Sequence, residues 1–85
     1  MRTISFHKEA FNDYNTWAKE NPNVFERIVR IINETARNPF DGIGKPELLK
    51  KNLKGFWSRR INDEHRLVYQ VKENEIIIVS CKYHY

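Results

Sequence analysis

The first part of the chain repeats its hydrophobic residues with the spacing of helices. A short alternating stretch at residues 2–6 predicts an initial strand. From residue 7 to residue 20, apolar side chains return every three or four positions, which predicts an amphipathic helix. Asn21 and Pro22 interrupt this pattern and suit the start of a second helix, because asparagine caps helices and proline fits their first turn. Asn38-Pro39 is expected to end that second helix.

The second part of the chain changes to strand-like alternation. Residues 39–47, "PFDGIGKPE", hold two glycines and two prolines, which is typical of a loop. Residues 48–55, "LLKKNLKG", follow and are compatible with a helical turn. Alternating stretches at residues 56–61, 65–71 and 75–85 then predict an antiparallel meander. We therefore expect one α+β domain over residues 1–85, with two helices packed on one face of a mostly antiparallel four- to five-stranded sheet.

Side-chain alternation also predicts which residues lie on the sheet face that the helices leave open. If the more apolar set of each strand faces the helices, the open face receives Arg60, Arg66, Ser80, Lys82 and His84. In the last strand, the set expected to face the helices is Ile77, Val79, Cys81 and Tyr83. Arg59 does not fit this alternation, and we expect it either at a sheet edge or in a packed ion pair.

The positive charge is confined to one part of the chain. The formal net charge is +4, and residues 45–66 hold seven Lys or Arg against three Asp or Glu, while the flanking regions are each neutral. A local basic segment suits a polyanionic partner such as nucleic acid. The single cysteine excludes an intrachain disulfide, and we expect a reducing, cytoplasmic location. Neither a membrane-spanning run nor a targeting segment is visible, and no membrane partner is expected.

The open face combines residue types that suit RNA cleavage. Arginine donates two parallel hydrogen bonds to phosphate, and histidine exchanges protons near neutral pH. Glu47 is a candidate carboxylate base within the basic segment. A base, cations and an acid together suffice for attack of a ribose 2′-hydroxyl on the adjacent phosphate, with no metal or organic cofactor. DNA lacks that hydroxyl and is not an expected substrate.

Simpler interpretations of the same residues remain open. Glu47 could be a loop carboxylate paired with a neighbouring lysine, and the arginines could belong to a solvated sheet face. His7 and His65 are expected to be structural, at a helix start and a strand start. The residues predicted for the core rather than for chemistry also include Tyr14, Trp17 and Cys81.

The stretch "NPFDGIGKPELLKKNLKGFWSRRINDEHRLVYQV" and the ending "CKYHY" resemble the YoeB/Txe toxins of the RelE/ParE superfamily. The resemblance runs along the whole chain and is densest over residues 38–71 and the last five residues. It implies a bacterial toxin–antitoxin module whose toxin is a ribosome-dependent endoribonuclease acting on mRNA. It also implies an antitoxin partner and a homodimer.

The resemblance assigns roles to individual residues. Glu47 of "KPE" is the implied general base, and His84 of "YHY" is the implied general acid. Arg60 and Arg66 are the implied transition-state stabilisers. The resemblance implies that Lys45 and Lys50 contact RNA or phosphate and that Tyr85 supports the site. We extend the expected RNA or phosphate contacts along the basic segment to Lys51 and Lys54, and include Tyr85 among them. Two alternatives without chemistry remain open: a gyrase-binding member of the superfamily, and a basic module that binds RNA or the ribosome.

Overall fold

The structure, a computed structural model, describes residues 1–50 and 55–83 and contains two helices and a five-stranded sheet. The elements in chain order are β1 Thr3–Phe6, α1 Lys8–Glu20, α2 Pro22–Arg37, β2 Glu47–Leu48, β3 Phe56–Arg60, β4 Arg66–Val71 and β5 Glu75–Ser80. The strand order is β1-β5-β4-β3-β2, in which β1 pairs with β5 in parallel and the other neighbours are antiparallel. The predicted α+β architecture is confirmed, with one parallel pair at the edge of the sheet.

The start of α2 follows the local chemistry of its sequence. The Asn21 side chain accepts a hydrogen bond from the Val24 N–H at 3.3 Å, and Pro22 occupies the first turn. This satisfies one of the N–H groups that a helix start leaves without an intrahelical partner. The helix ends at Arg37, directly before Asn38-Pro39, as predicted. None of the helices in the described part of the chain is long and apolar enough to cross a membrane.

The core lies between the two helices and one face of the sheet. Its central members come from α2, β4 and β5 and are fully or almost fully buried: Ile28, Ile31, Ile32, Leu67, Tyr69, Ile76 and Ile78. Ala10 of α1, Ile61 and Cys81 complete the buried cluster, and Tyr14 and Trp17 pack against it. The prediction that Cys81, Tyr14 and Trp17 serve the core is therefore confirmed. Burial raises the pKa of the Cys81 thiol to about 12.

One part of the predicted face assignment is wrong because of a β-bulge. Ile76 and Ile78 face the helices, whereas simple alternation had placed Ile77 there. Tyr69 pairs with Ile78, but its neighbour Val68 pairs with Ser80, so Val79 is an extra residue in β5. The extra residue reverses the alternation. Ser80 therefore reaches the open face and Cys81 the core, as predicted.

Two stretches next to the strands were open at the level of sequence. Leu48 belongs to β2 and neither Leu49 nor Lys50 is helical, while residues 51–54, where the rest of the possible helical turn falls, lie outside the described part of the chain. The strand β5 ends at Ser80, and Tyr83 has a φ of 62°, so strand alternation does not extend to Tyr83. Its side chain is 57% exposed rather than packed against the helices.

Candidate functional site

Strand pairing places Glu47 on the open face of the sheet, close to the two arginines. Glu47 is the pairing partner of Ser58, which in turn pairs with Val68. Side chains two residues apart on a strand share a face, so Glu47 lies on the same face as Arg60. Three of the predicted site residues among those the structure describes, Glu47, Arg60 and Arg66, therefore lie on one surface.

Arg60 and Arg66 lie directly opposite each other on neighbouring strands. Their backbone N–H groups point away from each other, since Arg60 donates to the Gly44 carbonyl at 2.6 Å and Arg66 donates to the Tyr83 carbonyl at 3.1 Å. They form a non-hydrogen-bonded pair, the type in which facing side chains approach most closely. Two like charges in this position destabilise a sheet. Such a local conflict is typical of a functional site.

The two guanidinium groups have different surroundings. The Arg66 side chain is partly buried and folds onto the preceding turn, where Nη1 donates to the carbonyls of Asn62 at 2.7 Å and His65 at 3.1 Å. Arg60 is exposed. The site therefore offers one arginine fixed by the turn and a second one that faces solvent.

The loop of residues 38–46, which we call the site loop, leads into Glu47 and is organised by Arg59. The Arg59 side chain is completely buried and forms an ion pair with Glu34 of α2, with Nη1 and Oε2 3.1 Å apart. The same guanidinium donates to backbone carbonyls of the site loop and to the Tyr69 hydroxyl. These acceptors are Ile43 O at 3.2 Å, Asp41 O at 2.9 Å, Asn38 O, and Tyr69 Oη at 3.2 Å. The alternative of a packed ion pair for Arg59 is confirmed.

Glu34 and two glycines complete the attachment of the site loop. Glu34 Oε2 accepts the Ile43 N–H at 2.6 Å, and this bond, together with Arg59, holds the pKa of the carboxyl below its ordinary value. Gly42 packs against the Glu34 carboxylate, where a Cβ atom would collide with it. Gly44 has a φ of +81°, and a Cβ there would lie 2.9 Å from the Arg60 carbonyl oxygen. The loop thus approaches β3 closely only because it carries glycine.

Residues 81–83, which we call the C-terminal segment, approach the site from the other side. The Trp17 indole Nε1 donates to the Cys81 carbonyl at 2.9 Å. The Tyr83 N–H donates to His65 Nδ1 at 2.7 Å, and Trp17 packs edge-on against the His65 ring with centroids 4.8 Å apart. His65 is buried, in agreement with its predicted structural role. Trp17 of α1 and His65 of the β3–β4 turn therefore hold the segment beside Arg66, whose backbone N–H binds the Tyr83 carbonyl.

The remaining predicted site residues have varied positions. Lys45 and Lys50 are exposed on either side of Glu47, and Lys45 has a positive φ of 51°. Lys82 lies with its Nζ 5.3 Å from the centre of the Tyr83 ring. The predicted site residues outside the described part of the chain are Lys51, Lys54, His84 and Tyr85.

Sequence reasoning did not find how the site loop is positioned. Arg59 and Tyr69 are the residues responsible, and Tyr69 donates in turn to the Pro39 carbonyl at 2.7 Å. The signal was present in the sequence, because a charged residue at a core-facing strand position is rarely buried without a partner. The identity of that partner, Glu34, could not be inferred from spacing.

The sequence matches one protein family over almost all of its length. The profile of the "YoeB-like toxin of bacterial type II toxin-antitoxin system" family matches residues 6–85. The chain belongs to this family. Among similar proteins, a YoeB toxin of Escherichia coli O6:H1 is 50% identical over 82 residues, covering 96% of this chain and 98% of that protein. The toxin RelK of Mycobacterium tuberculosis is 46% identical over 85 residues and the full length of both chains.

Solved structures of YoeB toxins have the same fold. A heterotetrameric YoeB-YefM toxin-antitoxin complex from Staphylococcus aureus contains a chain with a TM-score of 0.90 and 48% identity, covering 100% of this chain and 99% of that chain. A YoeB dimer from the same species gives a TM-score of 0.91 with 48% identity, and coverages of 99% and 98%. The predicted family resemblance and fold are therefore confirmed, and the protein is a toxin of a toxin–antitoxin system.

Proposed function

We propose that this YoeB-like toxin is an mRNA endoribonuclease that acts on ribosome-bound message and thereby inhibits translation. The observation that carries the proposal is the Arg60–Arg66 pair on the open face, together with Glu47 on the same face. A phosphate between the arginines would remove the repulsion of two adjacent like charges. A carboxylate beside a phosphate site is unfavourable for binding alone, but it suits a general base.

The proposed reaction is an internal phosphoryl transfer in RNA, from the 5′-oxygen to the neighbouring 2′-oxygen. Glu47 removes the proton from a ribose 2′-hydroxyl, whose oxygen forms a bond to the adjacent phosphorus. The bond from phosphorus to the 5′-oxygen breaks, and His84 donates the proton that this leaving oxygen takes up. Arg60 and Arg66 neutralise the charge that grows on the phosphoryl oxygens, where one well-placed group typically contributes about 3 kcal/mol.

The partners of this activity follow from the family and the charge distribution. The lysines flanking Glu47 would track the RNA backbone, with Lys45 and Lys50 exposed at the site. Lys51, Lys54 and Tyr85 join them in the proposal. The relatives solved with an antitoxin and as a dimer support the same two assemblies for this chain. A cytoplasmic location, where mRNA is translated, belongs to the proposal as well.

Cleavage of mRNA on translating ribosomes tests the proposal. Glu47→Gln and His84→Gln are each expected to lower kcat by about a hundredfold or more, because each removes a proton-transfer group. Glu73→Gln, which changes an exposed carboxylate in the β4–β5 turn, serves as the matched control and is expected to leave kcat unchanged. Wild-type binding without cleavage would identify a binding module instead. Undiminished cleavage by both variants would overturn the assigned roles.

A further inference from the structure

The C-terminal segment depends on one hydrogen bond that only a neutral histidine can make. The Tyr83 N–H can only donate, so His65 Nδ1, 2.7 Å away, must be the unprotonated acceptor. The ring has little freedom to turn, since it is 6% exposed and lies between Trp17 and the Tyr83 ring. Protonation would place a second N–H against the Tyr83 N–H and break the bond.

The charged groups around His65 come from the β3–β4 turn, from β4 and from the C-terminal segment. The Glu64 carboxylate lies 3.6 Å from Nε2, the nitrogen that carries the hydrogen in the neutral ring. Two cations oppose further positive charge: Arg66, whose Nη1 binds the His65 carbonyl, and Lys82, above the Tyr83 ring. From α1, Trp17 contributes an uncharged ring edge. In addition to burial, the negative charge of Asp13, one turn earlier, helps to raise the pKa of the Cys81 thiol.

The position of Tyr83 matters for the site because its carbonyl accepts the Arg66 N–H, and because His84 follows it in the sequence. We propose that neutral His65 is a positioning residue that holds the C-terminal segment beside Arg66. The hydrogen bond from the Tyr83 N–H to His65 Nδ1, which we call the lock, breaks on acidification. The inference rests on the proposed function for its catalytic consequence. The lock itself is a structural property and is measured without any cleavage.

The Tyr83 amide resonance of the complete protein, followed by NMR from about pH 8 to pH 5, the range in which free imidazoles change charge, reports the lock directly. We expect the wild-type amide to lose its hydrogen-bonded shift and its protection from exchange as the pH falls. His65→Asn places an oxygen near the position of Nδ1 that cannot be protonated there, so protection should persist to pH 5. The His84→Gln variant should retain the wild-type transition.

Two NMR outcomes would overturn the inference. One is a Tyr83 amide that stays protected down to pH 5 in the wild type. The other is a transition that remains in His65→Asn or disappears in His84→Gln, because the titrating group would then be a different one. Either outcome leaves the proposed RNA cleavage untouched.

Kinetics on ribosome-bound mRNA test the positioning role separately. His65→Leu, which removes the acceptor, is expected to lower kcat by about tenfold with KM nearly unchanged, the loss expected for one buried hydrogen bond. His65→Asn should recover kcat to within about threefold at pH 7.5. Equal losses in both variants would contradict positioning through the acceptor. If the wild type cuts no RNA while the NMR transition is present, the proposed function fails and the lock stands.

Discussion

The site loop and the C-terminal segment both attach to the backbone of the arginine pair, but their anchors differ in kind. The site loop is fixed by a fully buried guanidinium that makes five hydrogen bonds, one of them to a carboxylate. Side chains fix the C-terminal segment by neutral bonds: the Tyr83 N–H donates to the His65 imidazole, the Trp17 indole donates to the Cys81 carbonyl, and the Ser80 hydroxyl donates to the Lys82 carbonyl at 3.2 Å. Charge-assisted bonds are roughly twice as strong as neutral ones. The comparison indicates that the site loop is permanently in place and that the C-terminal segment can open.

This difference predicts different modes of opening. Breaking the Arg59 contacts leaves a buried charge and several backbone carbonyls without hydrogen-bond partners. The site loop should therefore open only when the whole domain unfolds. The C-terminal segment contains Tyr83, which is already 57% exposed, and should open locally at a smaller free-energy cost. Local opening beside Arg66 would change the site while the rest of the domain stays folded.

Removing the buried arginine should have the largest effect. Arg59→Met removes all five hydrogen bonds and leaves Glu34 without its partner. We expect the free energy of unfolding to fall by about 4 kcal/mol, as for other broken buried ion pairs. Urea denaturation measures this, and Arg60→Met, at the adjacent exposed position, is the matched control with a change of about 0.5 kcal/mol or less. Equal losses would show that the site loop is not anchored by Arg59.

The carboxylate partner should give a smaller, pH-dependent effect. The folded pKa of Glu34 is lowered by the Ile43 N–H and by Arg59, so its contribution to stability is complete above its unfolded pKa and is lost as the pH falls through the folded pKa. Glu34→Gln should therefore lower the Tm at pH 7 and flatten its decline below about pH 5. Glu26→Gln, on the same helix, is the control. Parallel pH curves for Glu34→Gln and wild type would contradict this assignment.

The elements of the fold could be predicted from sequence because their signals are local. Helical spacing, the Asn21–Pro22 start and the alternation of β3 and β4 each depend on neighbouring residues, and all are found in the structure. The direction of Arg60 and Arg66 followed from the same alternation. Membership in the toxin family could be predicted from its motifs.

The unpredicted features depend on contacts between distant parts of the chain. The bulge at Val79 reverses the faces of β5, and nothing in "EIIIVS" marks which residue is the extra one. The partners of Arg59 lie on α2, the site loop and β4, brought together only by folding. Tyr83, whose N–H binds His65, has a positive φ, which alternation cannot predict.

Weakening the indole anchor tests whether the C-terminal segment opens alone. Trp17→Phe keeps a ring but removes the donor to the Cys81 carbonyl, which should cost about 1.5 kcal/mol locally. Cys81 is fully buried and burial raises its pKa to about 12, so a thiol reagent at pH 8 reacts only after opening. Labelling should become about tenfold faster in Trp17→Phe.

The second tryptophan provides the control for this experiment. Trp57→Phe makes the same chemical change on β3, where Trp57 packs against Phe40 of the site loop. It should leave the labelling rate of Cys81 unchanged at a urea concentration where both variants remain folded. Equal acceleration in the two variants would mean that Cys81 reports global unfolding, and the two sides of the site would then open together.

The arginine pair between the two segments should give the smallest effect on stability, and one of opposite sign. Arg60→Met removes one of two facing like charges and should raise the free energy of unfolding by about 0.5 kcal/mol at low salt. Inorganic phosphate should raise the Tm of the wild type more than that of Arg60→Met, because an anion between the arginines relieves the same repulsion. Arg2→Met, at a half-buried arginine next to the edge strand β1 whose Nε donates to the Lys72 carbonyl, controls for general effects of phosphate. A phosphate response equal in all three proteins would mean that the pair is not an anion site, and the repulsion would lack the functional explanation proposed for it.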